Sequence, residues 1–143
     1  MAGNEISVLS LSARSSAMER DVKEAARFFL NVLDKNNVGL EIFLVDEKKM
    51  SAINKQYRGK NSPTNVLAFE PPMEFPHGGD NIARLGEIYL SPTYIKKHEE
   101  DLFYMLLHGI LHLVGFNHEN KSDRISMEKI EGGIIRRWHN SKS

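Results

Sequence analysis

The chain has no cysteine, so disulfides and thiolate metal sites are excluded. It has no surplus of either charge: 19 lysines and arginines balance 19 aspartates and glutamates. Net charge therefore draws it to neither nucleic acid nor membrane, and any such binding needs a local basic patch. No apolar run reaches the roughly 18 residues of a membrane span. The opening MAGNEISVLSLSARSS lacks a basic stretch and carries Glu5 early, which argues against a secretory signal. Ala2 stands where myristoylation needs glycine. A protein of the cytoplasm, with no membrane partner, is the expectation. At 143 residues, 41% of them apolar and 27% charged, the chain is expected to form a single domain over 1–143 with its own core.

Local patterns set out the elements. EISVLSLS (5–12) alternates partly, as a strand does. Ser16 and Glu19 have capping-box spacing, and Met18, Val22, Ala26, Phe29 and Leu33 follow at helical intervals, predicting a helix to about Asp34. LEIFLV (40–45) suits a central strand, and Asp46 is placed to cap a second helix through Met50 and Ile53. Arg58 to Pro63 is a basic turn rich in Gly, Asn and Ser. TNVLAF (64–69) reads as a strand ended by Pro71-Pro72, MEFPHGGDNIAR as a loop and RLGEIYLS (84–91) as another strand. One long helical pattern runs from about Pro92 to Val114 and stops at Gly115; a last helix spans about Ser122 to Trp138, weakened by Gly132-Gly133. The prediction is an α+β fold: one mixed sheet of about four strands with the apolar helix packed against it.

That apolar helix holds the chemistry. LLHGILHLVGFNHEN (106–120) contains three of the six histidines. His108 and His112 are four apart, which puts both rings on one helical face, about 6 Å along the axis. Gly115 can turn the chain back so that His118 closes a triangle. A single histidine in such a run is usually hydrogen-bonded core. Three would be costly to bury without partners, and a metal supplies one for each. The spacing H-x-x-x-H-x-x-G-x-x-H is that of metzincin ligands, with a fourth position open as in a catalytic zinc site. Three imidazoles suit Zn2+, one per chain, while Ni2+ and Cu2+ compete for the same nitrogens. Peptidases of the H-E-x-x-H kind place a general base after the first histidine; here that residue is Gly109, which argues against peptide hydrolysis by that route. Gly109 suits either close packing or room near the metal. His98, His139 and the loop residue His77 read as surface groups.

The block HGILHLVGFNH resembles the signature H-G-x-L-H-L-x-G-[YF]-D-H of the YbeY family of metal-dependent endoribonucleases. NKQYRGKNSPTNVLAF resembles the family's N-x-x-Y-R-x-x-x-x-P-T-D-V-L-S-F, and LGEI its L-G-D-I, in the family's order over nearly the whole chain. The resemblance implies a mixed sheet with helices, zinc held by three histidines, and cleavage of single-stranded RNA in ribosomal RNA maturation and ribosome quality control, with the small ribosomal subunit as partner. Carried over by position, His108, His112 and His118 are ligands and catalytic residues, and Arg58 lies near the metal cleft, its planar fork suited to phosphoryl oxygens. Lys60 and Asn65, in the same block, are candidate substrate contacts. Tyr57 is expected to pack rather than stack on a base, and Asn54 to hold the turn.

Four positions depart from the family pattern: Asn65, Glu87 and Asn117 where it has Asp, and Ala68 where it has Ser. If the missing carboxylates orient histidines, metal binding and rate fall. Attack by metal-bound hydroxide and attack by the ribose 2′-OH both fit the sequence, and no general base is visible in it. A metallohydrolase acting on peptides or esters and a non-catalytic ribosome-associated factor remain as alternatives.

Overall fold

The computed structural model describes residues 3–71, 82–116 and 119–142. Strand β1 (Glu5–Ser10) leads through a 3-10 turn (Ala13–Met18) into helix α1 (Glu19–Val32). Strand β2 (Val38–Leu44), helix α2 (Glu47–Arg58) and strands β3 (Val66–Phe69) and β4 (Ala83–Leu90) follow. Helices α3 (Pro92–Lys97), α4 (Leu102–Leu113) and α5 (Lys121–Lys142) complete the chain. The sheet order is β1-β2-β4-β3, with β1, β2 and β4 parallel and β3 antiparallel at one edge. The architecture is α+β with a mixed four-stranded sheet, as the patterns imply.

Alternation along the strands sorts the two faces. Val38, Leu40, Ile42 and Leu44 of β2 and Ile88 and Leu90 of β4 are buried in the main core. Against them pack Phe29 and Leu30 of α1, Leu107 and Ile110 of α4, and Met127 and Trp138 of α5. Each such side chain contributes about 1.5–3 kcal/mol by leaving water. Helix α2 covers part of the other face, where Met50 and Ile53 meet Val45, Leu67 and the rings of Phe43, Phe69 and Tyr89.

Three local expectations need correction. Ser16 and Glu19 form no capping box: Ser16 Oγ donates to the Ala13 carbonyl at 3.1 Å inside the 3-10 turn, and Glu19 Oε2 accepts from the Ser10 N–H at 2.8 Å. Glu19 thus closes the end of β1 instead of the start of a helix. The helical pattern 92–114 is two helices, because Glu99 adopts φ 57° and Asp101 starts a new helix, accepting from the Phe103 N–H at 2.9 Å. No glycine marks that break, which hides it in the sequence. Strand β3 starts two residues later than expected, since Asn65 Oδ1 takes the Val66 N–H at 2.7 Å. Other signals hold. Asp46 caps α2 through the Lys49 N–H at 2.7 Å, Asn54 Nδ2 pins the following turn by donating to the Ser62 carbonyl at 2.9 Å, and Gly115 ends α4 with φ 109°.

One glycine admits no side chain. Gly86 sits at φ 140° on β4, and a Cβ there would lie 2.1 Å from the Phe69 carbonyl oxygen of β3. Gly132, in the middle of α5, has nothing within 4 Å of the same position. Gly86→Ala is expected to cost about 3 kcal/mol from backbone strain and lost β3 pairing. Gly132→Ala is expected to stabilise by up to about 1 kcal/mol. Urea denaturation midpoints of the two variants check both signs.

Candidate metal centre

Helix α4 is buried on most of its circumference, through Leu106, Leu107, Ile110 and Leu111. The remaining stripe, Tyr104, His108 and His112 at four-residue intervals, faces a cleft of ≈ 820 Å³ between edge strand β3 and helix α5. Spacing along a helix therefore answers why histidines interrupt an apolar run: they occupy the one face that is not core. Gly109 lies between them, and a Cβ there would meet Ile88 at 3.2 Å and Val66 at 3.3 Å. Of its two expected roles, close helix–sheet packing is the one the geometry supports. A glutamate at this position would be driven into the sheet.

The two rings meet nearly edge to face, with centroids 4.6 Å apart. Their Nε2 atoms face each other at 3.1 Å. Behind His108, Glu131 Oε2 accepts from Nδ1 at 2.5 Å, and its other oxygen accepts from the Tyr104 hydroxyl at 2.8 Å. With its proton on Nδ1, His108 presents the Nε2 lone pair to the cleft. Glu131 is only 2% exposed, and these two hydrogen bonds satisfy its buried oxygens. Burial first, and then the adjacent Glu131 carboxylate, push the Tyr104 hydroxyl up to about 12, so at neutral pH it is a donor.

These features fit a metal ion. Two nitrogens bound to one tetrahedral ion at about 2.0–2.1 Å stand about 3.3 Å apart, close to the observed separation. A carboxylate behind a ligating imidazole is the usual outer support of such sites. His118 lies outside the described residues, as do His77 and Asn117. Among the described residues no group of three or more His, Cys, Asp or Glu is placed to hold an ion.

The other sequence candidates are spread unequally. Arg58, the last residue of α2, lines the cleft before the turn at Gly59 (φ 72°). Asn65 also lines it, but its side chain is engaged by the Val66 N–H and by Glu100, with Nδ2 donating at 3.2 Å. Lys60 is exposed and is not among the lining residues. Ala68 lines the cleft, whereas Glu87 sits on the opposite face of the sheet and accepts from the Tyr89 hydroxyl at 3.1 Å. His98 and His139 are surface groups, His139 pairing with Asp101 at 2.7 Å. Tyr57 packs on Phe69 with centroids 4.9 Å apart yet stays 62% exposed. A second hollow of ≈ 800 Å³, on the far face of the sheet, has no histidine among the described residues that line it.

Sequence reasoning missed Glu131, Tyr104, Arg124 and Glu128, all of which line the cleft. Glu131 left a signal. Met127, Glu131, Ile134 and Trp138 form the buried stripe of α5, and one acid in an otherwise apolar stripe demands a partner.

Residues 6–139 match the family model described as Endoribonuclease YbeY. A protein of that name from Bartonella quintana is 35% identical over 142 residues, covering 92% of this chain and 89% of its own. Another, from Petrotoga mobilis, is 34% identical over 121 residues, covering 83% and 84%. The solution structure of TM1509 from Thermotoga maritima aligns with a TM-score of 0.56 at 26% identity, over 95% of this chain and 93% of that one.

Glu131→Gln keeps the shape but removes the acceptor charge behind His108, and is expected to weaken zinc binding by roughly 10–100-fold. Tyr104→Phe, which leaves Glu131 on His108, is expected to cost less. Competition of each variant with a chromogenic zinc chelator measures both.

Proposed function

The chain belongs to the YbeY family of endoribonucleases, and we propose that it cleaves single-stranded RNA in ribosomal RNA maturation, using one zinc ion held by His108, His112 and His118. The observation that carries this reading is the facing pair of imidazole nitrogens, 3.1 Å apart, with a buried carboxylate fixing one ring. Bound between them, a divalent ion would supply Lewis acidity to water and to a phosphoryl oxygen. The chain's own residues do the rest. Glu131 and Tyr104 hold His108 in one tautomer and orientation. Arg58, which lines the same cleft, offers a planar guanidinium to phosphoryl oxygens as their charge grows. Helix α4, strand β3 and helix α5 all contribute to the walls of this cleft.

Gly109 and its surroundings speak against peptide hydrolysis by the H-E-x-x-H route, because the position has no acid and a side chain there would crowd Ile88 and Val66 of the sheet. Work in the cytoplasm alongside the small ribosomal subunit, in maturation and quality control, belongs to the same proposal. Among the described residues no helix is long and apolar enough to cross a membrane.

Purified protein is expected to cut a single-stranded RNA and spare a duplex and casein. Chelator treatment is expected to abolish cleavage and added zinc to restore it. Arg58→Ala is expected to lower kcat by about 10²–10³, the usual loss for one donor aimed at developing charge, with folding unchanged by circular dichroism. End-group analysis separates the two attack routes, since only the 2′-OH route leaves a 2′,3′-cyclic phosphate. Activity on casein or esters with none on RNA, or undiminished cutting after metal removal, would overturn the proposal.

A further inference from the structure

Two arginines, and no lysine, line the histidine cleft among the described residues: Arg58 and Arg124. They come from different elements, the end of α2 and the first turns of α5. Arg124 shares the cleft-facing side of α5 with Glu128 and Glu131, at four- and seven-residue intervals. Seven residues of helix place it about 10 Å along the axis from the carboxylate that holds His108. On α1, Arg20 pairs with the acid one turn on, Glu24, at 3.6 Å. Arg124 has Glu128 at the same spacing, yet among the described residues it forms no ion pair and is exposed. Its guanidinium is left available on a wall whose other ionisable groups are acids.

We propose that Arg124 is a second phosphate-binding residue, holding a backbone phosphate that flanks the one nearest the histidines, while Arg58 serves the cleft from the end of α2. This rests on the reading that the cleft takes single-stranded RNA. The offset along α5 assigns Arg124 to a neighbouring phosphate, because its Cα stands two helical turns from Glu131. Phosphate is common to every nucleotide, so Arg124 contributes affinity and strand register without selecting a base. Glu128, between Arg124 and Glu131, repels a phosphate at the intermediate level and separates the two phosphate positions.

The test compares wild type, Arg124→Ala, Arg124→Lys and the control Arg20→Ala. Binding of a labelled 2′-O-methyl single strand is followed by anisotropy across a salt series, with steady-state cleavage of RNA in parallel. Removing one phosphate contact on a single strand lowers the slope of log K against log salt by about 0.7. Arg124→Ala is expected to show that drop, weaker binding across unrelated sequences and a raised KM with kcat nearly kept. Arg124→Lys is expected to recover most of the slope, and Arg20→Ala to match wild type. An active wild type whose slope and KM do not respond to Arg124→Ala overturns the inference and leaves the RNA reading standing. A wild type that neither binds nor cuts the strands overturns the RNA reading, and the role of Arg124 with it.

Discussion

The hydrogen bond from His108 to Glu131 is the interaction on which the site depends. A carboxylate that is 2% exposed carries a desolvation cost of several kcal/mol unless it is well partnered. Here one oxygen takes the imidazole proton and the other the Tyr104 hydroxyl. That pairing ties α5 to α4, sets the His108 tautomer and turns its second nitrogen to the cleft. The same bond that satisfies a buried acid thus fixes which imidazole nitrogen the cleft receives.

The backbone arrangement that permits this is a matter of contact distances. Helix α4 lies so close to the sheet that a Cβ at Gly109 would crowd Ile88 at 3.2 Å and Val66 at 3.3 Å. Close approach brings His108 and His112 beside edge strand β3, and β3 brings Val66 and Ala68 into the same cleft. At the other end of the pairing, Gly86 lets β4 pass under the Phe69 carbonyl. Two glycines of different character, one helical and one at positive φ, therefore set how near the histidines stand to the strand.

The departures from the family pattern take on different weights once placed. Glu87 is on the far side of the sheet from the histidines, bonded to Tyr89. Asn65 binds the backbone of Val66 and the side chain of Glu100, a partner that would repel an aspartate. The orienting carboxylate for His108 comes instead from α5. A loss of charge at Asn65 thus leaves the support of that ring in place.

Much of this was legible in order of residues alone. Periodicity and caps located β1, β2, α2 and β4, because alternation, helical spacing and an Asp before a helix are local properties. The paired histidines were legible for the same reason: four residues on a helix is a fixed vector. What depended on contacts between distant segments was not. The break at Glu99 has no glycine to announce it, Glu19 turned to Ser10 rather than to Ser16, and Glu131 met His108 across 23 positions of chain. The sequence by itself determined most of the elements and a two-imidazole stripe on an apolar helix; only the tertiary structure decided where α3 breaks from α4, which acid supports that stripe and which arginines share its cleft. Local geometry follows from nearest neighbours, whereas the partner of a buried charge is chosen by how whole helices pack.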